Sequence, residues 1–149
     1  MENDALYNQT LRLPDGRTLG YAETGSRGGM PLLIIHGSPG SRLDSLYSNA
    51  FDLGDLNVHV AALDRPGMGL SDFQPRRTFM DLSKDVCALA DHLGWMRFAL
   101  IGVSGGGPYA AACALALPDR LTRVGLVSSV APLDVPGVME GMGPGGMMF

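Results

Sequence analysis

A chain of 149 residues with 46% hydrophobic and 17% charged side chains is long enough for one buried core and too apolar for a disordered segment. Its formal net charge of -4, with no run of Lys or Arg, argues against a nucleic-acid surface and against an anionic-membrane surface. The acidic opening Met1-Glu2-Asn3-Asp4 lacks the charged-then-apolar pattern of an export signal, which points to the cytoplasm.

Residues 9–13, the turn Pro14-Asp15-Gly16 and residues 17–23 are expected to form a hairpin. A flexible loop over 24–30 leads into Pro31-Leu32-Leu33-Ile34-Ile35-His36, an apolar run that reads as a buried strand. A Gly/Pro turn and a helix over about 43–51 follow, then a strand over 58–63. The next helix is expected over about 79–93, with Phe79, Leu82, Val86, Leu89 and Leu93 on one face and Thr78 and Asp81 in capping-box positions. Residues 97–103 read as another buried strand, residues 109–117 as an alanine-rich helix whose first turn holds Pro108 and which stops at Pro118, and residues 124–127 as a further strand. This alternation predicts an α/β architecture, a mostly parallel sheet with helices on both faces.

Residues 99–117 carry no charge over a length that could cross a bilayer. Ser104-Gly105-Gly106-Gly107-Pro108 at the centre of that run would break a spanning helix, so a strand, a turn and a buried helix account for its apolarity. Cys87 and Cys113 fall in expected helices without metal-ligand spacing and read as core-packing thiols. No metal cluster, phosphate loop or dinucleotide fingerprint is present, so the sequence implies no metal and no cofactor.

The most informative stretch is Gly102-Val103-Ser104-Gly105-Gly106. A serine bracketed by glycines between a buried strand and a helix sits on so sharp a reversal that its backbone is strained and its hydroxyl projects above the sheet. Gly102 and Gly106 remove side chains where strand and helix pass each other, and the backbone N–H of Gly105 can face a developing oxyanion.

Three motifs in order, His36-Gly37-Ser38-Pro39-Gly40, Asp64-Arg65-Pro66-Gly67-Met68-Gly69-Leu70-Ser71-Asp72 and the Ser104 turn, resemble the N-terminal portion of α/β-hydrolase-fold enzymes of the serine-nucleophile type. The resemblance runs from about residue 11 to residue 136. It implies that Ser104 is the nucleophile and that the backbone amides of Ser38 and Gly105 form the oxyanion hole, with His36, Gly37, Gly102 and Gly106 in support. It implies that His36 braces its loop rather than acting as a base, and that Asp64 and Arg65 form a structural turn, bonding the backbone and each other. Serine, where relatives that use an alkyl-ester intermediate carry aspartate, points to an acyl-enzyme and hence to a small-molecule ester, thioester or amide substrate.

The chain departs from that pattern after Ser104. No histidine follows it, and the carboxylates beyond it are Asp119, Asp134 and Glu140, of which Asp134 follows the sixth strand, where some relatives place a displaced acid. His59 and His92 read as ordinary surface or half-buried residues. The Gly/Met-rich ending reads as cut. Residues 1–131 would be the N-terminal part of a hydrolase core truncated after about the sixth strand, and residues 132–149 an incomplete segment leading toward a lid. Two readings follow. One is a serine hydrolase whose acid, histidine and lid come from a C-terminal part. The other is an inactive fragment or half-domain that binds a complementing chain along an open sheet edge.

Overall fold

Runs of β-branched and aliphatic residues form six strands of one sheet in the computed structural model, which describes residues 4–44, 56–132 and 135–136. After a single helical turn, α1 (Asp4–Tyr7), come β1 (Gln9–Arg12), β2 (Thr18–Gly25), β3 (Met30–Ile35), β4 (Val58–Leu63), β5 (Phe98–Val103) and β6 (Leu121–Val127). Their spatial order is β1-β2-β4-β3-β5-β6. The hairpin expected at the start is β1 and β2, antiparallel with Gln9 opposite Tyr21, and β2 also runs antiparallel to β4. From β4 onward the pairs β3/β4, β3/β5 and β5/β6 are parallel, so their C-terminal ends share one edge of the sheet.

That parallel core explains the unbroken apolar runs. Leu33, Ile34 and Ile35 of β3 are buried on both faces of the sheet, as are all six residues of β4. Leu33, Ile35, Ala61, Leu63, Phe98 and Leu100 belong to the larger hydrophobic cluster, together with Leu82, Val86 and Leu89 of α2 (Leu82–His92) and Tyr109, Ala110 and Cys113 of α3 (Gly107–Ala116). The alternate residues Ile34, Val58, Val60 and Ala62 form a smaller cluster on the opposite face. Both helices therefore pack on one face, and the helix expected at 43–51 lies largely outside the described residues.

Three expectations are corrected in detail. α2 begins at Leu82 rather than near residue 79, because the Thr78 backbone N–H and hydroxyl both donate to Asp81 Oδ2 at 2.8 Å and close a separate turn first. Only the half of the capping box that runs from the acid to the backbone N–H forms, and Phe79 swings out of the buried face to become 52% exposed. Cys113 is a core thiol, its pKa pushed up to about 12 by burial, but Cys87 is half-buried at the surface and receives a hydrogen bond from Arg120 Nη1 at 3.2 Å. β6 starts at Leu121, three positions before the expected strand, after the turn that follows α3.

The 99–117 run divides between β5 and α3, and no helix among the described residues is long and apolar enough to cross a membrane. Among the described residues β6 pairs with β5 alone, and Val124, Leu126 and Val127 are exposed along it. Apart from residues 132, 135 and 136, the segment 132–149 lies outside the described residues.

Candidate active site

β5 ends at Val103 in extended conformation, with φ -103° and ψ 131°, and at the next residue the backbone is left-handed, with φ +50° at Ser104. A non-glycine residue adopts that region only where its surroundings hold it there. Here the hold is close packing. A Cβ on Gly102 would lie 2.5 Å from the Gly106 carbonyl oxygen and 2.6 Å from Ala110 Cβ, and one on Gly106 would collide with the carbonyl oxygens of Ile35 and His36. Strand β5, helix α3 and the end of β3 thus approach to backbone contact, and the short 3₁₀ turn Ser104–Gly106 that feeds α3 leaves Ser104 half-buried at the sheet's C-terminal edge.

The second component is the loop after β3. A Cβ on Gly37 would sit 3.1 Å from Ser104 Cβ and 3.7 Å from its Oγ. One on Gly105 would lie 2.8 Å from Ser38 Oγ and 3.4 Å from the Ser38 backbone nitrogen. Ser38 and Gly105 are therefore neighbours flanking Ser104, although 67 positions separate them in the chain.

His36 is buried directly beneath this loop. Its Nε2 accepts the Arg65 backbone N–H at 3.1 Å and its Nδ1 donates to the Gly37 carbonyl at 2.8 Å, so the ring bridges this loop and the end of β4. Burial lowers its pKa from the ordinary 6.5 and keeps the ring neutral.

The segment after β4 does more than turn the chain. Asp64, fully buried, accepts the Arg42 backbone N–H at 2.7 Å, Arg42 Nη1 at 2.8 Å and the Leu70 N–H at 2.8 Å. Its ion-pair partner is Arg42, not Arg65 as the sequence suggested. Arg65 points the other way. Its Nη2 donates to the Gly37 carbonyl and to Ser38 Oγ, its Nη1 reaches the Gly105 carbonyl at 3.4 Å, and its guanidinium lies 5.3 Å from the centre of the Tyr109 ring. One buried cation thus ties together the two backbone segments that flank Ser104. Sequence reasoning missed this role; the available signal was an arginine placed directly after a buried strand that ends at the Ser104 edge of the sheet.

The remaining candidates lie elsewhere. His59 is buried rather than superficial, its Nε2 2.6 Å from Glu23 Oε2 and its ring edge-on to Trp95 at 5.0 Å. His92 is exposed and bonds the Tyr21 hydroxyl at 3.1 Å. Asp119 is exposed in the turn before β6, at the sheet edge opposite Ser104, while Asp134 and Glu140 lie outside the described residues. Each of the three histidines is engaged with a partner other than Ser104.

Comparison with known proteins identifies the fold. A family model described as the alpha/beta hydrolase fold matches residues 30–144. The dihydrolipoyllysine-residue acetyltransferase component of the acetoin cleaving system of Pseudomonas putida is 36% identical over 115 residues, covering 76% of this chain and 30% of that protein. A non-heme chloroperoxidase of Streptomyces lividans is 37% identical over 128 residues, covering 85% of this chain and 46% of that one. The solved structure of a thermophilic esterase from Thermogutta terrifontis matches with a TM-score of 0.72 at 30% identity, over 87% of this chain and 48% of that chain. The chain spans less than half the length of each of these relatives.

Proposed function

This chain belongs to the α/β-hydrolase-fold family, and from that premise we propose that the polypeptide carrying it is a serine hydrolase of esters, thioesters or amides. Ser104 Oγ attacks the acyl carbon, its proton passing to a histidine base, and the carbonyl oxygen becomes an oxyanion held by the backbone N–H groups of Ser38 and Gly105. Collapse of that intermediate breaks the bond to the leaving alcohol, thiol or amine, which takes the proton. Water then releases the acid from the acyl-enzyme by the same route.

The observation that carries this reading is the left-handed Ser104 at a strand-to-helix turn, with Ser38 and Gly105 packed against each other beside it. Because His36, His59 and His92 are all engaged elsewhere, the base and its orienting acid in this scheme come from outside the described residues. Arg65 holds the two oxyanion segments at a fixed separation, a preorganisation that favours the charged intermediate over the neutral substrate.

A fluorophosphonate probe tests the scheme on the polypeptide as the cell makes it. A single adduct on the peptide containing Ser104, abolished in Ser104→Ala, is the expected result. Absence of any adduct on that peptide would overturn it. It would favour the second reading, in which the chain binds a complementing strand along β6 without catalysing, a reading that the exposed Val124, Leu126 and Val127 of that edge support.

A further inference from the structure

Against Tyr109, in the helix that follows the Ser104 turn, lies a cavity of about 500 Å³ walled by Phe73, Phe79 and Tyr109 and carrying Gln74, Arg76 and Arg77. Two buried side-chain atoms of its lining lack partners. Among the described residues, the buried side-chain atoms without a hydrogen-bond partner are Arg65 Nε, Gln74 Oε1 and Arg77 Nε. Two of the three belong to residues of this cavity, and the third belongs to the arginine stacked on its Tyr109 wall. A buried donor or acceptor left unpaired carries the full desolvation penalty unless a ligand supplies the missing partner.

The charges are equally unbalanced. Arg17, Arg42 and Arg120 each pair with an aspartate, at 2.6 to 2.8 Å. Arg65, Arg76 and Arg77, like Arg12, Arg27, Arg97 and Arg123, have no carboxylate partner among the described residues; what distinguishes them is that two line this cavity and the third lies against its Tyr109 wall. Arg65 also feels Arg77, whose charge adds to burial in lowering the Arg65 pKa. Like charges gathered in a partly enclosed space, without a counter-charge, form a site suited to an anion.

Tyr109 connects the cavity to Arg65, and through it to the segments that flank Ser104. That ring stands edge-on to Phe79 at 4.8 Å on one side and faces the Arg65 guanidinium on the other, and Arg65 in turn grips Ser38 and the Gly105 carbonyl. We propose that this cavity is a specificity subsite for a carboxylate on the acyl substrate, clamped by Arg77 with the Arg65 charge behind it. The inference rests on the serine-hydrolase reading for its link to turnover. A guanidinium presents two parallel N–H donors that match the two oxygens of a carboxylate, and the aromatic walls fit the hydrocarbon stem that would join it to the ester. Gln74 Oε1 is left to accept an O–H or N–H from the same ligand.

The test compares p-nitrophenyl hemiglutarate with its uncharged counterpart, p-nitrophenyl pentanoate, on the polypeptide as the cell makes it. Arg77→Gln is expected to lower the ratio of the two kcat/KM values by about tenfold or more, chiefly through the KM of the hemiglutarate. Arg77→Lys recovers part of that ratio, whereas Arg97→Gln, which removes an exposed charge at the far end of β5, leaves it unchanged. A ratio unmoved by Arg77→Gln overturns the subsite.

A second measurement does not depend on turnover: calorimetric titration of glutarate into Ser104→Ala, with and without Arg77→Gln. Binding that needs Arg77, in a protein whose wild type takes no fluorophosphonate adduct at Ser104, supports the subsite and refutes the hydrolase reading. Hydrolysis of both esters with equal kcat/KM and no glutarate binding refutes the subsite alone. Binding of inorganic phosphate without glutarate overturns the carboxylate assignment.

Discussion

The Arg65 backbone N–H donates to His36 Nε2, so one hydrogen bond fixes both the imidazole tautomer and the point from which the Arg65 side chain reaches over the Ser104 turn. Protonating that nitrogen would turn an acceptor into a donor facing a donor. Burial holds the His36 pKa below its ordinary 6.5, so near and below that value the unfolded chain binds more protons than the folded one. Stability is therefore full above the ordinary value and is lost as pH falls beneath it, toward the folded pKa. The melting temperature is expected to decline between about pH 7.5 and 5.5, and His36→Gln, which keeps an acceptor without titrating, should flatten that decline. Parallel profiles for the two proteins would refute the assignment.

Ser104 carries backbone strain that its side chain does not need. Ser104→Gly relieves the positive φ, whereas Ser104→Ala retains it. Both variants should lose the fluorophosphonate adduct. The glycine variant should be the more stable of the two by about 1 kcal/mol in urea denaturation, and equal midpoints would show that the turn is not strained.

Gly102 and Gly28 form a matched pair. A Cβ at Gly102 meets the Gly106 carbonyl and Ala110, while one at Gly28 meets nothing within 4 Å. Gly102→Ala should cost about 3 kcal/mol as the strand and helix are forced apart, and Gly28→Ala should be close to neutral. Chemical denaturation of the two variants side by side decides the point.

Asp64 holds Arg42 and the Leu70 N–H from a fully buried position. Asp64→Asn preserves its shape but removes the charge opposite Arg42, and breaking a buried pair from one side costs about 3 kcal/mol or more. A loss below about 1 kcal/mol would mean that Asp64 contributes little beyond its backbone hydrogen bonds.

How much of this could be read in the chain depended on how local the cause was. The bounds of β4 agree with the sequence reading because an apolar run of six residues stops at a charged Asp64. The Ser104 turn was visible for the same reason, since strand, glycines, serine and helix are consecutive. Phe79 was misplaced because a helical period was extended one turn too far, across residues that Asp81 had drawn into a turn with Thr78. Non-local pairings stayed out of sight. Glu23 meets His59 because antiparallel register sets Glu23 opposite Ala61, which puts His59 on the diagonal of the same face. The bonds from Arg65 to Gly37, Ser38 and Gly105 need three separate strand ends brought to one edge, and no sequence period encodes that meeting.

The carbonyl of Ser104 also accepts the Val130 N–H at 3.2 Å, so the segment that leaves the outermost strand is tied to the nucleophile's own peptide unit. Among the described residues β6 is bonded on one side, whereas β3 and β4 are each paired on both sides. A displacement of the end of β6 is therefore carried through this tether to the Ser104 carbonyl. Changes made in β6 are thus expected to reach the geometry of the Ser104 turn without touching it.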